Sequence, residues 1–163
     1  MDKSVNIELN KKIETLKTKS ISIDLWSSDG KLLATAEDDL KVIFQFKYIV
    51  VDSDKRRLKS KCDVWRESTV GVIPTMRRKG ISRRIYQYIT EELNVNIMSD
   101  DIHYDDSFKL WQSFYSVKSL NMYIVDTDNF DLTEYTPDAI NTYGDNLENI
   151  RLVLGDKKCA LTV

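Results

Sequence analysis

Two glycines and a proline lie within ten residues of one another in a chain that has only five glycines and two prolines. Gly71, Pro74 and Gly80 separate a run rich in β-branched residues from a segment with helical periodicity. Proline ends a strand because it lacks a backbone donor, and glycine permits a tight turn that exposes the amides at a helix start. Because a helix N-terminus favours an anion, the junction predicts a pyrophosphate site.

Basic side chains surround this junction. Arg77, Arg78 and Lys79 precede Gly80, and two further arginines at positions 83 and 84 follow it along the first helical turn. Guanidinium groups bind phosphate oxygens through charge-assisted hydrogen bonds. The spacing of the glycines and the lack of a Gly-Lys-Ser/Thr sequence exclude a Walker loop.

The segment from Val72 to Tyr86 reads VIPTMRRKGISRRIY. It resembles the acetyl-coenzyme A motif of the GNAT family of N-acetyltransferases, V-x-P-x-x-[QR]-x-x-G-x-[GA], and the resemblance extends over roughly Cys62 to Asp126. It implies an α/β (α+β) fold with a mixed, mostly antiparallel central sheet flanked by helices. It also implies an enzyme that transfers acetyl from acetyl-CoA to a primary amine.

The resemblance further implies which residues bind the cofactor. Backbone groups of Gly71 and Val72 would bind the pantetheine arm, and the amides of residues 77 to 82 would bind the pyrophosphate. The implied cofactor-binding residues are Gly71, Val72, Arg77, Arg78, Lys79, Gly80, Ile81 and Ser82. Ser82 stands where the family usually has glycine or alanine, so its hydroxyl either donates to the phosphate or weakens binding.

The second helix departs from the family pattern. Many relatives carry N-x-x-A-x-x-[FL]-Y there, and its tyrosine protonates the leaving thiolate. In this chain Ser107 aligns with the alanine and Trp111 with the tyrosine, and an indole cannot act as that acid. Tyr115, one helical turn beyond Trp111, is the candidate acid, with Tyr104 as a further candidate. A core or interface role for Tyr115 is the competing interpretation.

Direct attack on the thioester requires a base. A lysine-like amine has a pKa near 10.4 and must lose a proton before it attacks. Glu67, five residues before Val72 on the motif strand, is the best-placed carboxylate, and His103, in the loop after the next strand, is a second candidate. A surface glutamate and a polar loop histidine are the alternative interpretations. A backbone amide near the end of the motif strand would hold the oxyanion.

Charge is distributed unevenly along the chain, although the net charge is only −2. Residues 50–84 contain 11 Lys/Arg and 4 Asp/Glu, whereas residues 100–148 contain 2 Lys/Arg and 11 Asp/Glu. Four of these acidic residues would line the acceptor entrance: Asp100, Asp101, Asp105 and Asp106. They predict a cationic acceptor, such as a protein lysine or N-terminus, a polyamine or an aminoglycoside. Nucleic acid binding ranks last because the overall charge has the wrong sign.

Length and composition predict one soluble domain over residues 1–163, with 42% hydrophobic and 31% charged residues. The most apolar stretch, residues 42–51, contains Gln45 and Lys47 and is about half the length of a membrane span. The N-terminus has no apolar leader, which predicts a cytoplasmic location. Cys62 and Cys159 are too few and too far apart for a disulfide framework, and with His103 as the sole histidine no metal site is expected.

Hydrophobic periodicity predicts the elements that position these residues. They are an amphipathic helix over 6–18, a hairpin over 21–36, strands over 42–52 and 62–73, a helix from about 81 to 93, a strand over 95–99, a helix from Asp105 or Asp106 through Phe114, a strand over 121–126, an irregular acidic region over 127–149, and sheet-closing strands over 150–154 and 160–163.

The sequence is also compatible with other interpretations. Ser82 and Trp111 motivate a catalytically degenerate GNAT-fold protein that binds or inhibits a protein partner. The acidic C-terminal region is equally compatible with docking of a protein. The style of the sequence is reminiscent of small phage-encoded relatives, and a homodimer through the last strands is one arrangement that the resemblance allows.

Overall fold

A computed structural model describes residues 11–51, 59–100, 106–129, 131–143, 147–159 and 161–162. The strands are β1 (Lys11–Lys17), β2 (Ser22–Ser28), β3 (Lys31–Ala36), β4 (Val42–Val50), β5 (Lys59–Ser60), β6 (Val64–Val72), β7 (Asn96–Met98), β8 (Leu120–Asp126), β9 (Leu132–Glu134), β10 (Ile150–Asp156) and β11 (Leu161–Thr162). The α-helices are α1 (Ile81–Gln87), α2 (Asp106–Ser113) and α3 (Pro137–Asn141). Short 3₁₀ turns lie at Pro74–Met76, Phe114–Ser116 and Lys157–Cys159, and a π-helical turn lies at Tyr88–Glu92.

The strands form a mixed, mostly antiparallel sheet. Hydrogen bonds connect them in the order β1-β2-β3-β4-β6-β7-β10-β8-β9, while β5 pairs with β11 separately. The pair β6–β7 is parallel, and the pairs β1–β2, β2–β3, β3–β4, β7–β10, β8–β10 and β8–β9 are antiparallel. Together with the helices, this sheet confirms the predicted α/β (α+β) fold class.

The chain divides into two compact units, and β6 contributes to both. The first unit comprises Met1–Ile49 and Glu67–Gln87, and the second comprises Val50–Arg66 and Tyr88–Val163. The single domain over residues 1–163 stays a prediction. Among the described residues, no helix is long and apolar enough to span a membrane.

The first unit is built on a hairpin and the motif strand. Ser28 pairs with Lys31, so that Asp29 and Gly30 form a two-residue loop, and Gly30 has a φ of 71°. Asp-Gly is a preferred sequence for such a turn because its second residue adopts positive φ, and the predicted hairpin is confirmed. The apolar core of this unit contains Leu16, Ile23, Leu25, Leu32, Leu33, Ala34, Ile43, Phe44, Phe46, Ile81 and Ile85.

The predicted helix over residues 6–18 is wrong for the part of it that the structure describes. Residues 11–17 form β1, which pairs antiparallel with β2. The register shifts between Lys12 and Glu14, so Ile13 lies at an irregularity in the strand. The three-residue spacing of Ile13 and Leu16 suggests a helix, but it arises here because an extra residue in a strand resets the alternation.

The second unit has its own apolar cluster. Val64, Met98 and Val125 pack together with Val153 and Leu161, and each is at most 5% exposed. These residues come from β6, β7, β8, β10 and β11. The last strand, β11, pairs with β5 in a separate two-stranded sheet. The prediction that residues 160–163 close the main sheet is therefore wrong.

The two cysteines, which the sequence marks as too few and too far apart for a disulfide framework, form a single disulfide. Cys62 and Cys159 form a disulfide with a Cα–Cα distance of 5.5 Å, although they are 97 positions apart in sequence. Cys62 follows β5 and Cys159 precedes β11. The pairing of these two strands brings the two cysteines together, so their separation in sequence does not measure their separation in space.

The other predicted elements have the expected type. Strands β4, β6, β7, β8 and β10 and helices α1 and α2 form where the periodicity predicts them. The region over 127–149 is more regular than expected, because it contains β9 and α3. Thr136 begins α3 by accepting a hydrogen bond from the amide of Ala139 at 2.9 Å, and Pro137 occupies the first helical position.

Candidate functional site

The junction between β6 and α1 begins where the motif strand ends. Val72 is the last residue of β6, and the amide of Ile73 donates to the carbonyl of Ile43 at 3.0 Å. Pro74 then starts a 3₁₀ turn in which the amide of Met76 donates to the carbonyl of Ile73 at 2.9 Å. Pro74 has no amide with which to extend the strand, as the sequence predicts.

The chain reverses direction through two residues with positive φ. Arg78 has a φ of 63° and Gly80 a φ of 76°. A Cβ added to Gly80 would meet no atom within 4 Å, so glycine is favoured there by the backbone conformation and not by crowding. Helix α1 starts immediately afterwards, with the amide of Arg84 donating to the carbonyl of Gly80 at 3.0 Å.

Three consecutive amides at this junction, those of residues 80 to 82, are available to a ligand. Within the part of the chain that the structure describes, no acceptor is hydrogen-bonded to them. Amides left without an intramolecular partner at a helix start bind water or an anion. The junction can therefore donate several hydrogen bonds to an anionic group.

The side chains of the junction leave the backbone accessible. Arg77 and Arg78 are exposed, Lys79 and Ser82 are partly exposed, and Ile81 is buried at 2% exposure. Ile81 anchors the start of α1 in the core, while the three basic residues add positive charge around the amides. The hydroxyl of Ser82 can donate a hydrogen bond in the same region.

The motif strand has an accessible edge in the first unit. Strand β6 pairs with β7 only through Val64, Trp65 and Arg66. Among the described residues of the first unit, β6 is the last strand in the order, next to β4. Gly71 lies on this edge, and a Cβ added there would meet nothing within 4 Å. An extended ligand arm can hydrogen-bond to unpaired backbone groups at the edge of a sheet, and its binding to Gly71 and Val72 stays a prediction.

Glu67, the candidate base, lies at the middle of β6 and is partly buried. Its Oε2 accepts a hydrogen bond from the hydroxyl of Tyr86, a residue of α1. Tyr86 is 2% exposed, and its ring makes an edge contact with Phe46 at a centroid distance of 5.6 Å. Burial, and then the charge of Glu67 and the hydrogen bond to it, raise the pKa of Tyr86 well above its ordinary value.

A second tyrosine belongs to the same aromatic group. Tyr48 lies next to Phe46 with a centroid distance of 5.9 Å. Burial, followed by the charge of Asp29, raises the pKa of Tyr48. Both hydroxyls therefore stay protonated at neutral pH, and each can act as a hydrogen-bond donor.

The remaining predicted catalytic residues are His103 and Tyr115. His103 lies in the segment 101–105, outside the described residues, as do Asp101, Tyr104 and Asp105. Tyr115 lies in the 3₁₀ turn after α2 in the second unit and is 50% exposed, with its ring against Tyr135 at 5.5 Å.

Trp111 and Tyr115 differ in exposure. Trp111 is 3% exposed on α2, as expected for a core aromatic. The α-helix ends at Ser113 and a 3₁₀ turn follows, which changes the angular spacing between these two residues. Tyr115 has the exposure that a proton donor to a ligand would need, and its role stays a prediction.

The sequence interpretation missed Tyr86. A tyrosine beside the buried Ile85 signals a hydroxyl that needs a partner, because buried phenols are usually hydrogen-bonded. Nothing in the sequence pairs it with Glu67, which lies 19 positions earlier on another element.

Comparisons with known proteins give a similarity among solved structures. No family model matches the sequence, and no curated protein matches it. Among solved structures, the chain is similar to one described as "Putative acetyltransferase from GNAT family from Bacteroides thetaiotaomicron", with 16% identity and a TM-score of 0.41. The match covers 78% of this chain and 61% of that protein, so the chain spans less than two thirds of its length.

Proposed function

We propose that the protein is an acetyl-CoA-dependent N-acetyltransferase that acts on a primary amine. The observation that carries the proposal is the β6–α1 junction, where Arg78 and Gly80 have positive φ and the successive amides of residues 80 to 82 have no acceptor among the described residues. A pyrophosphate accepts several hydrogen bonds at once, and Arg77, Arg78 and Lys79 complement its charge.

The edge of β6 supports the rest of the cofactor assignment. The pantetheine arm of acetyl-CoA is extended and carries two amide groups, so it can pair with strand backbone in the manner of an added strand. Gly71 and Val72 lie directly before the junction in sequence. One continuous piece of chain would thus contact both the arm and the pyrophosphate.

The chemistry follows a direct transfer with balanced protons. The acceptor ammonium gives one proton to Glu67, or to His103 as the second candidate, and the free amine attacks the thioester carbonyl carbon. The C–N bond forms, the C–S bond breaks, and the second proton of the nitrogen passes to the departing thiolate. Glu67 then releases its proton to water, and the products are the amide and coenzyme A.

The acceptor is proposed to be cationic. Asp100 is exposed at the end of the segment that follows β7, and acidic side chains predominate over residues 100–148. Negative potential concentrates a cationic amine before it reaches the reacting atoms. A protein lysine, a protein N-terminus and a polyamine all satisfy this chemistry.

A second candidate function is a cofactor-binding protein without turnover that acts on a protein partner. The observation that favours it is the burial of Trp111, which stands at the position of the family's tyrosine and is 3% exposed. The two functions differ in one measurable respect, since an enzyme releases coenzyme A and a binding protein does not.

Calorimetric titration with acetyl-CoA, combined with a thiol-release assay against spermidine and a lysine peptide, tests the proposal. We expect micromolar binding and amine-dependent thiol release. The double variant Arg77→Glu, Gly80→Asp should reduce acetyl-CoA affinity by at least about 100-fold, because each good charge-assisted hydrogen bond contributes about 1.5–3 kcal/mol.

The matched control is Lys11→Glu, which makes the same charge reversal at an exposed position of β1, separated from β6 by β2, β3 and β4 in the strand order. It should bind acetyl-CoA as the unsubstituted protein does. Unchanged affinity in the double variant, with an unchanged circular dichroism spectrum, would contradict the pyrophosphate assignment.

A further inference from the structure

A buried hydrogen bond links the motif helix to the candidate base. Tyr86 on α1 donates to Oε2 of Glu67 on β6, and both residues belong to the first unit. The ring of Tyr86 is held from the side by Phe46 on β4. Tyr86 thus contacts residues of two strands, Glu67 on β6 and Phe46 on β4.

Packing alone does not account for a tyrosine at position 86. The other buried residues of α1 are Ile81 and Ile85, and a phenylalanine would fill the same volume against Phe46. A buried hydroxyl costs free energy unless it is hydrogen-bonded, and Glu67 supplies its acceptor. The carboxylate in turn gains a charge-assisted donor in a partly buried place, which holds it in one orientation.

We infer that Tyr86 is a positioning residue, whose hydroxyl fixes the Glu67 carboxylate as the acceptor of the amine proton. The inference rests on the proposed function and adds a residue to it. Glu67 takes the proton, an N–H bond breaks and an O–H bond forms, while Tyr86 keeps its own proton throughout. Loss of the Tyr86 hydroxyl would leave the Glu67 carboxylate in the site but incorrectly oriented.

The helix that carries Tyr86 also starts at the proposed pyrophosphate site. Gly80 ends the turn and Tyr86 follows six positions later, within two helical turns. The same short helix therefore presents amides to the cofactor and holds the base. This arrangement ties the orientation of Glu67 to the element that binds the cofactor, without any residue of the second unit.

A double-mutant cycle on thiol release separates this role from a purely structural one. With acetyl-CoA and spermidine or a lysine peptide as probes, Glu67→Gln should lower kcat by about 100-fold, since a general base contributes about 10²–10⁴. Tyr86→Phe should lower kcat by about tenfold, because small displacements of a catalytic group have effects of that order, and leave the KM for acetyl-CoA unchanged.

The decisive measurement is Tyr86→Phe in the Glu67→Gln background, where we expect no further loss of kcat. A residue that acts only through another has no effect once the other is disabled. The matched control is Tyr123→Phe, which deletes one hydroxyl from a partly buried tyrosine of β8 and should not change kcat. If Tyr86→Phe does not fold, Tyr86→Leu, which removes the same hydroxyl with another apolar side chain, repeats the test.

Each outcome bears on the inference. Equal loss from Tyr86→Phe in both backgrounds would overturn it and leave the proposed function intact. Acetyl-CoA binding without thiol release for any probe amine would overturn the positioning role and favour the binding protein. Absence of acetyl-CoA binding would overturn the proposed function itself, and the inference with it.

Discussion

Asn96 connects the strands around the disulfide through a single side chain. It is 1% exposed, and its Nδ2 donates to Ser60 Oγ at 2.8 Å and to the carbonyl of Cys159 at 3.0 Å. Its Oδ1 lies 1.7 Å from the position that a Cβ on Gly155 would occupy. Gly155 leaves room for the Asn96 carboxamide, and that carboxamide makes hydrogen bonds near both cysteines, to Ser60 and to Cys159.

Gly155→Ala should lower the free energy of unfolding by about 1–3 kcal/mol, the usual cost of an overpacked core. The added methyl would displace the Asn96 carboxamide, which also breaks its two hydrogen bonds. Urea denaturation followed by circular dichroism measures the change. The effect should shrink in an Asn96→Ala background, where the colliding atoms are absent.

Gly71→Ala is the matched control for stability, because a Cβ there meets nothing within 4 Å. It should change the free energy of unfolding by no more than about 0.5 kcal/mol. Equal destabilisation by the two alanines would show that strand glycines matter here for backbone reasons and not for the fit of Asn96.

Among the strands of the first unit, the side chain of Asp24 on β2 explains how the edge strand β1 is attached to its neighbour. Its Oδ1 accepts from Thr15 Oγ1 at 2.8 Å and lies 3.1 Å from Lys12 Nζ, and both of these residues are on β1. Its Oδ2 accepts from the amide of Asp38 at 3.1 Å. Burial alone would raise the pKa of Asp24, but these hydrogen bonds and the ammonium outweigh burial and hold the pKa below its ordinary value.

Asp24→Asn should therefore lower stability at pH 7 and make it less sensitive to acid. A carboxyl whose pKa is lowered by folding contributes stability above the unfolded pKa of about 3.9, and that contribution is lost as the pH falls through the folded pKa. Urea midpoints of the variant and the unsubstituted protein should differ most near neutrality and converge below about pH 4.

Asp29→Asn is the matched control, since Asn-Gly suits the same two-residue turn as Asp-Gly. Asp29 is exposed, and its substitution should change the urea midpoint at pH 7 little. A constant gap between Asp24→Asn and the unsubstituted protein from pH 7 to pH 3 would contradict this account of Asp24.

Periodicity predicted the elements whose buried faces are regular. Helix α1 and the π-helical turn that follows it were predictable because Ile81, Ile85 and Ile89 recur at helical spacing and all are buried. Strand β1 was not, because its register shifts beside Ile13 and because Asp24, a partner in another strand, determines its pairing. Strands β5 and β11 have two residues each, which is too short for any periodic signal.

The candidate site was predictable where its residues are contiguous. The turn through Arg78 and Gly80 follows from local glycine and proline placement, so sequence reasoning locates it. The contact between Glu67 and Tyr86 joins a strand to a helix, and only the packing of α1 on the sheet creates it. Sequence rules that consider a few neighbouring residues at a time cannot predict a contact between residues that are distant in sequence.

At the scale of the molecule, the disulfide joins positions 97 apart and so spans most of the second unit. Replacing both Cys62 and Cys159 by serine should lower the free energy of unfolding by about 2–4 kcal/mol, because a long closed loop restricts the unfolded chain. Urea denaturation measures the change, and the same comparison under reducing conditions is the control, because the unsubstituted protein then lacks the disulfide as well. Equal stability of the double serine variant and the unsubstituted protein under oxidising conditions would contradict the contribution of the disulfide.

The disulfide also has a consequence for the covalent topology of the chain. The motif strand, the turn and α1 all lie between Cys62 and Cys159, so they belong to a covalent ring with two tails. A protease that cuts this ring once produces two fragments that remain joined, and gel electrophoresis separates them only after reduction. The difference between reduced and unreduced digests on the gel would thus measure the fraction of molecules in which the disulfide has formed.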